Sequence, residues 1–354
     1  MFFKYQHGGN LSGAAREFGQ SEQNFLDFSA NINPLGPSPQ VWQAISDNLW
    51  RIVHYPDPQC LELKQALAEY LQIEPANLVL GNGGAELIYV LPTILPETEA
   101  LILTPTFGEY AHSWRAANKK ITYKPLEQGL ENISGSKQII YICNPNNPDG
   151  RLHPASELRQ VLAKAQAQSS WVFVDESFID LIDQPEQYSL IKEINQHPNL
   201  IILYSLTKFF ALPGLRLGAL IAAPTLIQKL ENRLDPWRIN ALAQAAALAA
   251  LKDRQHQKAS RQLVQKERHF LQQELAKFPQ IQNISGSANF LLLEFPQFSR
   301  SELENLMLKL AQKGVLVRDC ANFYGLEGSY IRIAVRNHAE NQQFLDILQI
   351  CLSN

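Results

Sequence analysis

Apolar residues recur along this chain with two periods. Short, largely apolar runs stand at Leu78-Val-Leu80, Ala100–Thr104, Gln138–Cys143, Trp171–Val174 and Leu200–Leu203, with Leu217–Ala222 as a further candidate. Runs of this length read as strands buried on both faces. Between them apolar residues return at helical spacing, which predicts helices over Pro39–Leu49, Leu61–Tyr70, the segment after Gly84, Tyr110–Ala117 and Ala155–Ala167. Strands alternating with helices predict an α/β architecture, a mainly parallel sheet covered by helices on both faces.

The pattern changes at both ends. Residues 1 to about 40 carry Gly and Pro punctuation, a short helix near Ser12–Phe18 and no long periodic element, and read as an N-terminal arm. Residues 41–240 hold the strand–helix alternation. From Arg238 to Phe278 the pattern is helical for most of its length, a connector helix broken once. Beyond it lie a strand at Asn289–Phe295, a helix at Ser301–Lys313, strands at Val315–Arg318 and Tyr330–Val335, and a final helix from His338. Residues 241–354 therefore read as connector plus a small α+β domain.

Composition narrows the function classes. With 354 residues, 45% of them hydrophobic, the chain can bury a large core. Its net charge of −3 and lack of a basic run argue against nucleic acid or an anionic membrane as partner. No apolar run approaches the ~20 residues of a membrane helix. The N-terminus lacks the apolar stretch of a signal peptide. Cys60, Cys143, Cys320 and Cys351 are scattered, with no metal spacing, so reduced thiols in the cytoplasm and no metal are expected.

The candidate chemistry centres on Leu203–Gly218, which follows a buried strand. Lys208 stands there among apolar neighbours, and lost hydration frees its amine to attack a carbonyl. Ser205, Thr207 and Arg216 supply two hydroxyls and a guanidinium, a donor set for phosphate. Taken singly, Lys208 also reads as a surface lysine in a turn. The Ser205-x-x-Lys208 spacing of penicillin-recognising enzymes does not apply, because no Lys-Thr-Gly follows. Asp175 closes another buried strand, Asn144-Pro-Asn-Asn147 follows a third, and Gly83-Gly84-Ala85 opens a helix whose free N–H groups suit phosphate.

The string Ser205-Leu-Thr-Lys208-x(5)-Gly214-Leu-Arg216-Leu-Gly218 resembles the lysine motif of fold-type I pyridoxal phosphate enzymes, the aspartate aminotransferase superfamily. The resemblance covers essentially the whole chain. It implies a seven-stranded, mainly parallel sheet in a large domain with a smaller C-terminal α+β domain, and pyridoxal 5'-phosphate as cofactor. It assigns the Schiff-base lysine to Lys208 and the partner of the protonated pyridine nitrogen to Asp175. Asn147 falls on the asparagine that meets the ring 3-oxygen and Phe107 on the stacking aromatic. Gly84, Ala85, Ser205, Thr207 and Arg216 fall on the phosphate site. Tyr55 matches a tyrosine that reaches the neighbouring subunit's phosphate, which implies a homodimer with shared active sites. Phe178 stands where the family usually has tyrosine, and Asp149 where it usually has threonine.

Within that superfamily the chain resembles two families, the threonine-phosphate decarboxylases of cobalamin biosynthesis and the histidinol-phosphate aminotransferases. The strings His7-Gly-Gly-Asn10, Asp27–Gly36, Asp175–Asp180, Pro236–Asn240 and Arg318–Asn322 favour the first. That implies decarboxylation of L-threonine O-3-phosphate, a small phosphorylated amino acid. Arg332 resembles the family's carboxylate-binding arginine, and Arg318 is the candidate for the substrate phosphate. His7, Gly8 and Asn31 are expected to close the site, Asn147 to line it, and Arg336 is a further candidate. The competing expectation is amino transfer from histidinol phosphate with the same fold and cofactor.

Overall fold

The computed structural model describes residues 7–130 and 137–353; the first six residues of the expected arm lie outside the described residues. The described chain enters through helix α1 (Leu11–Phe18) and the two-residue strand β1 (Leu26–Asp27). Helices α2 (Pro39–Asp47) and α3 (Leu61–Leu71) follow. Asn10 caps α1 by accepting from the Gly13 N–H at 3.0 Å.

Seven strands then build the large sheet: β2 (Leu78–Asn82), β3 (Glu99–Thr104), β4 (Lys120–Pro125), β5 (Ile139–Cys143), β6 (Trp171–Asp175), β7 (Leu200–Ser205) and β8 (Leu217–Ala222). Their spatial order is β2-β8-β7-β6-β5-β3-β4. Strands β3 to β7 pair in parallel, whereas β8 is antiparallel to both β2 and β7. The apolar runs of β5, β6 and β7 are continuous because both faces are covered. One face packs Leu158 and Val161 of helix α6 (Ala155–Ala167) against Ile140, Ile142 and Val174. The other packs Leu87 of α4 (Gly84–Ile94) and Trp114 of α5 (Glu109–Ala116) against Ile102, Tyr141 and Phe173.

The sheet thus has the expected seven strands, but β4 is absent from the apolar pattern. It lies at the sheet edge with its residues exposed or half-buried, and Lys120-Ile-Thr-Tyr-Lys-Pro125 lacks the continuous run of a central strand. The expected break in the connector is Asp253. It separates α9 (Ala241–Lys252) from α10 (Arg254–Leu275), and its side chain caps the second by accepting from His256 N. Two short elements complete the large unit, α7 (Leu206–Phe209) after β7 and α8 (Pro224–Glu231) after β8.

The C-terminal unit is an antiparallel sheet, in the order β12-β13-β10-β9, packed on helices. Its strands are β9 (Gln282–Ser285), β10 (Phe290–Glu294), β12 (Arg318–Asp319) and β13 (Tyr330–Ala334), and its helices α11 (Arg300–Gln312) and α12 (His338–Ser353). The run expected as one strand, Val315–Arg318, divides between two sheets. Its first part, β11 (Val315–Leu316), pairs in parallel with β1, and only Arg318 joins the antiparallel sheet. Residues of the expected arm are built into this unit. Phe28 is fully buried, stacks on Phe344 at 4.7 Å and lies in the same core as Ile331 and Ile333. Such burial stabilises by about 1.5–3 kcal/mol per large side chain.

Candidate active site

The parallel strands β3, β5, β6 and β7 end at one edge of the sheet, where open α/β sheets bind ligands. Their C-terminal loops carry Phe107, Asn147, Asp175 and Lys208 into one cavity of about 220 Å³. From the C-terminal unit Arg318 and Arg332 close it, and from the N-terminal segment His7, Gly8 and Asn31. Residues separated by more than 300 positions therefore share one wall.

Asp175 is buried at the end of β6. Tyr110 donates its hydroxyl to Asp175 Oδ2 at 2.6 Å, and Ser177 N–H donates to Oδ1 at 2.8 Å. Burial nevertheless raises its pKa, with these bonds and Lys208 opposing the shift. Lys208 sits in α7, one turn past the end of β7. Burial first, then the Arg332 and Arg216 charges, push its pKa down from 10.5 to about 8. Its Nζ lies 5.8 Å from the centre of the Phe178 ring, which packs edge-on against Phe290. The ring that replaces the family tyrosine is thus apolar packing for the lysine.

The residues expected to form the phosphate site cluster beside this cavity. Gly218 on β8 lies opposite Gly81 on β2 and opposite Ser205 on β7, which joins the glycine loop to the lysine loop. Ser205 and Thr207 hydroxyls are buried and 2.8 Å apart. A Cβ at Gly218 would come 2.6 Å from Gly84 N, and one at Gly83 2.5 Å from the Arg216 guanidinium. Gly83 has φ +78°, which disfavours other residues, and gives α4 no side-chain cap. The N–H groups of Gly84 and Ala85 at that helix start, two hydroxyls and a guanidinium therefore surround one cradle. Lysine, buried carboxylate and anion cradle fit the aldehyde, pyridine nitrogen and phosphate of pyridoxal phosphate.

The arginines form the opposite wall. Arg318 and Arg332 are directly opposite one another on β12 and β13. Alternation along β13 sends Ile331 and Ile333 into the core, and Arg332 to the other face, towards Lys208. Arg332 donates to Asn147 Oδ1 and, at 3.1 Å, to the Ser29 carbonyl. Its burial holds its pKa down at about 10, with the Arg318 charge contributing. Arg318 donates to Asn322 Oδ1 at 2.6 Å and lies over the Phe323 ring. Asn31 is buried in the wall with Oδ1 unpaired. At Gly8 a Cβ would strike the Ser29 carbonyl at 2.1 Å, so the backbones touch there.

Two expected residues lie apart. Tyr55 is 81% exposed and packs on Trp237, outside the cavity. Arg336 bonds Glu340 within its own unit. Asp149 accepts from Asn146 Nδ2 and Arg151 N, and so serves only its turn. The residues that sequence reasoning missed are Tyr110, Ser177, Ser29 and Phe323. Tyr110 stands three positions after Phe107, in the first turn of α5.

A family model, aminotransferase class I and II, matches residues 23–348. The chain is 35% identical to a threonine-phosphate decarboxylase of Salmonella typhimurium, over 99% of this chain and 98% of that one. The crystal structure of a histidinol-phosphate aminotransferase from Clostridium acetobutylicum superposes with a TM-score of 0.84 at 29% identity, covering 93% of this chain and all of that one. That of L-threonine-O-3-phosphate decarboxylase from Porphyromonas gingivalis gives 0.83 at 25%, covering 92% and 99%. Lysine, carboxylate and phosphate cradle agree with this match, and the chain belongs to the aminotransferase class I and II family, with pyridoxal phosphate as its cofactor.

Proposed function

We propose that this enzyme decarboxylates L-threonine O-3-phosphate to (R)-1-amino-2-propanol O-2-phosphate and CO₂, a step of cobalamin assembly. The observation that carries the reading is the cross-strand pair Arg318 and Arg332, facing Lys208 and Asp175 across one cavity. Two guanidiniums offer two anion anchors, and this substrate has two anions, a phosphate and an α-carboxylate. Its likeness to the Salmonella decarboxylase over the full chain supports the same reading.

Lys208, Asp175, Asn147 and the cradle of Gly84, Ala85, Ser205, Thr207 and Arg216 would hold the cofactor, with Phe107 against its ring. When bound, pyridoxal phosphate supplies an electron sink for the pair released at the substrate Cα. Asp175 keeps a proton on the pyridine nitrogen. Arg332, fixed by Asn147 and Ser29, holds the carboxylate, and Arg318 the phosphate, so binding energy sets which Cα bond breaks. His7, Gly8 and Asn31 cover the substrate. CO₂ departs, and Lys208 Nζ returns a proton to Cα. Tyr55 reaches the partner's cofactor phosphate in a homodimer. An arm of residues 1–40, a cofactor-binding domain of 41–240 and a C-terminal unit of 241–354 divide this work.

The test is a two-substrate assay. O-phospho-L-threonine should release CO₂ without a 2-oxo acid, and histidinol phosphate with 2-oxoglutarate should react little. Dominant amino transfer with no CO₂ would make the chain an aminotransferase instead.

A further inference from the structure

Beside the substrate cavity lies a second one of about 200 Å³. The two share His7, Phe107, Arg318 and Phe323 as a common wall. Three parts of that wall are fixed by the fold. Phe107 packs edge-on against buried Tyr110 at 5.6 Å, and Arg318 lies over Phe323 at 5.3 Å. His7 is different, because its side chain is about half exposed and belongs to the N-terminal segment. Its ring is held by Glu109, with Nε2 2.8 Å from Oε1.

Glu109 opens α5 and is only 9% exposed. It also accepts from the Tyr89 hydroxyl at 2.6 Å and meets His112 Nδ1 at 3.2 Å. Burial works to raise its pKa, yet the bonds from Tyr89, His112 and His7 hold the carboxyl below its usual range. The second cavity is aromatic and cationic. Tyr123 stacks on Tyr324 at 4.0 Å there, and Arg115 donates to the Tyr123 hydroxyl.

We infer that Glu109 is a specificity-determining residue: by latching His7 into the shared wall it keeps the cavities apart and limits the substrate to a short phosphorylated amino acid. With the latch open, the joined space admits a phosphorylated amine that carries a ring. The short substrate rests on the proposed reaction; the latch rests on the contacts of Glu109.

The test uses the cofactor-loaded enzyme and the variants Glu109→Gln, His7→Ala, both together, and Tyr89→Phe. Dissociation constants for O-phospho-L-threonine and for histidinol phosphate are measured by calorimetry in a Lys208→Ala background, where the ligands bind without turnover, and hydrogen exchange is followed at residues 7–10. Glu109→Gln should weaken O-phospho-L-threonine about tenfold, the size of a lost charge-assisted bond, while histidinol phosphate binds as well or better. In the His7→Ala background the same change should move the ratio by less than about twofold, because the two act as one unit. Exchange at residues 7–10 should quicken in Glu109→Gln and in His7→Ala alike. Tyr89→Phe, which leaves the carboxylate and His7 in place, should shift the ratio the same way by less, and it serves if Glu109→Gln fails to fold. Equal weakening of both ligands, additive effects in the double variant, or unchanged exchange overturns the inference. Absence of CO₂ release by the unmodified enzyme would sink the proposed reaction and leave the exchange and coupling results to decide the latch.

Discussion

The surroundings of Lys208, the proposed cofactor lysine, come at a cost to the fold. Among the described residues its amine has no bonded counter-ion; it stands beside Arg332 and Arg216, and its pKa falls from 10.5 to about 8. The sign of the stability effect follows from linkage. Between pH 8 and 10.5 the unfolded chain keeps a proton that the folded one has lost, so stability from this group rises with pH across that window. Below pH 8 both states carry the proton and the full penalty applies, at most roughly 3 kcal/mol for this shift. Cofactor-free Lys208→Met should therefore be more stable than the unmodified chain at pH 7, and the gap should narrow above pH 8 and close only near pH 10.5. Urea unfolding of both at pH 7, 9 and 10 measures it; a gap independent of pH would mean that the lysine is well solvated. Asp175 was legible in sequence because it ends a continuous apolar run, and Lys208 because Ser205, Thr207 and Arg216 surround it in one string. Tyr110 was not, because an aromatic on a helix reads equally well as core, which it also is through Tyr141 and Phe173.

At the scale of elements, the informative unit is the β12–β13 pair. Arg318 and Arg332 are fourteen positions apart, and sequence offered both as anion ligands without showing that they face each other. Register supplies that, and register here depends on a two-residue strand followed by a loop with Gly325 and Gly328 at positive φ, which no periodicity announces. Strands β4 and β9 escaped for a related reason, since a short or half-exposed strand has no continuous apolar run. Like charges directly opposite in a sheet destabilise it, and the Arg318 charge helps to hold the Arg332 pKa down, so an anion between them relieves that repulsion. Arg318→Gln should leave the ligand-free protein as stable or slightly more so. In a Lys208→Ala background, where the substrate is bound without turnover, it should also remove most of the rise in melting temperature that O-phospho-L-threonine confers. Saturating ligand at about a hundred times Kd stabilises by ~2.7 kcal/mol, and loss of one charge-assisted contact removes roughly 1.5–3 kcal/mol of affinity. Melting curves over a ligand titration decide it: an undiminished shift in Arg318→Gln would take that residue out of the anion site.

At the scale of the whole molecule, one surface does not suit an isolated protomer. Trp42, Leu49, Trp50, Ile52, Val53, Tyr55 and Leu61 are all more than half exposed, within a stretch of twenty residues, and Trp237 packs on Tyr55. Scattered exposed apolar side chains are ordinary, but a contiguous group of this kind marks an interface. The patch carries Tyr55, the residue whose proposed role lies in the neighbouring active site. The exposed patch and the proposed role of Tyr55 would both be met by a second copy of the chain seated on this surface, and a stable interface of that sort buries about 800 Å² on each partner. Trp50→Glu with Ile52→Glu should then yield a monomer. Because these side chains touch little within the protomer, far-ultraviolet circular dichroism should be unchanged; surface substitutions usually shift stability within about 0.5 kcal/mol. Activity should fall steeply if the proposed Tyr55 contact to the partner's cofactor phosphate is lost with the dimer. Tyr55→Phe should separate the two effects by remaining dimeric while binding the cofactor more weakly. Sedimentation velocity at micromolar protein and a cofactor titration are the measurements. An unmodified enzyme that sediments as a monomer, or a monomeric variant with full activity, would mean that the site is complete within one chain.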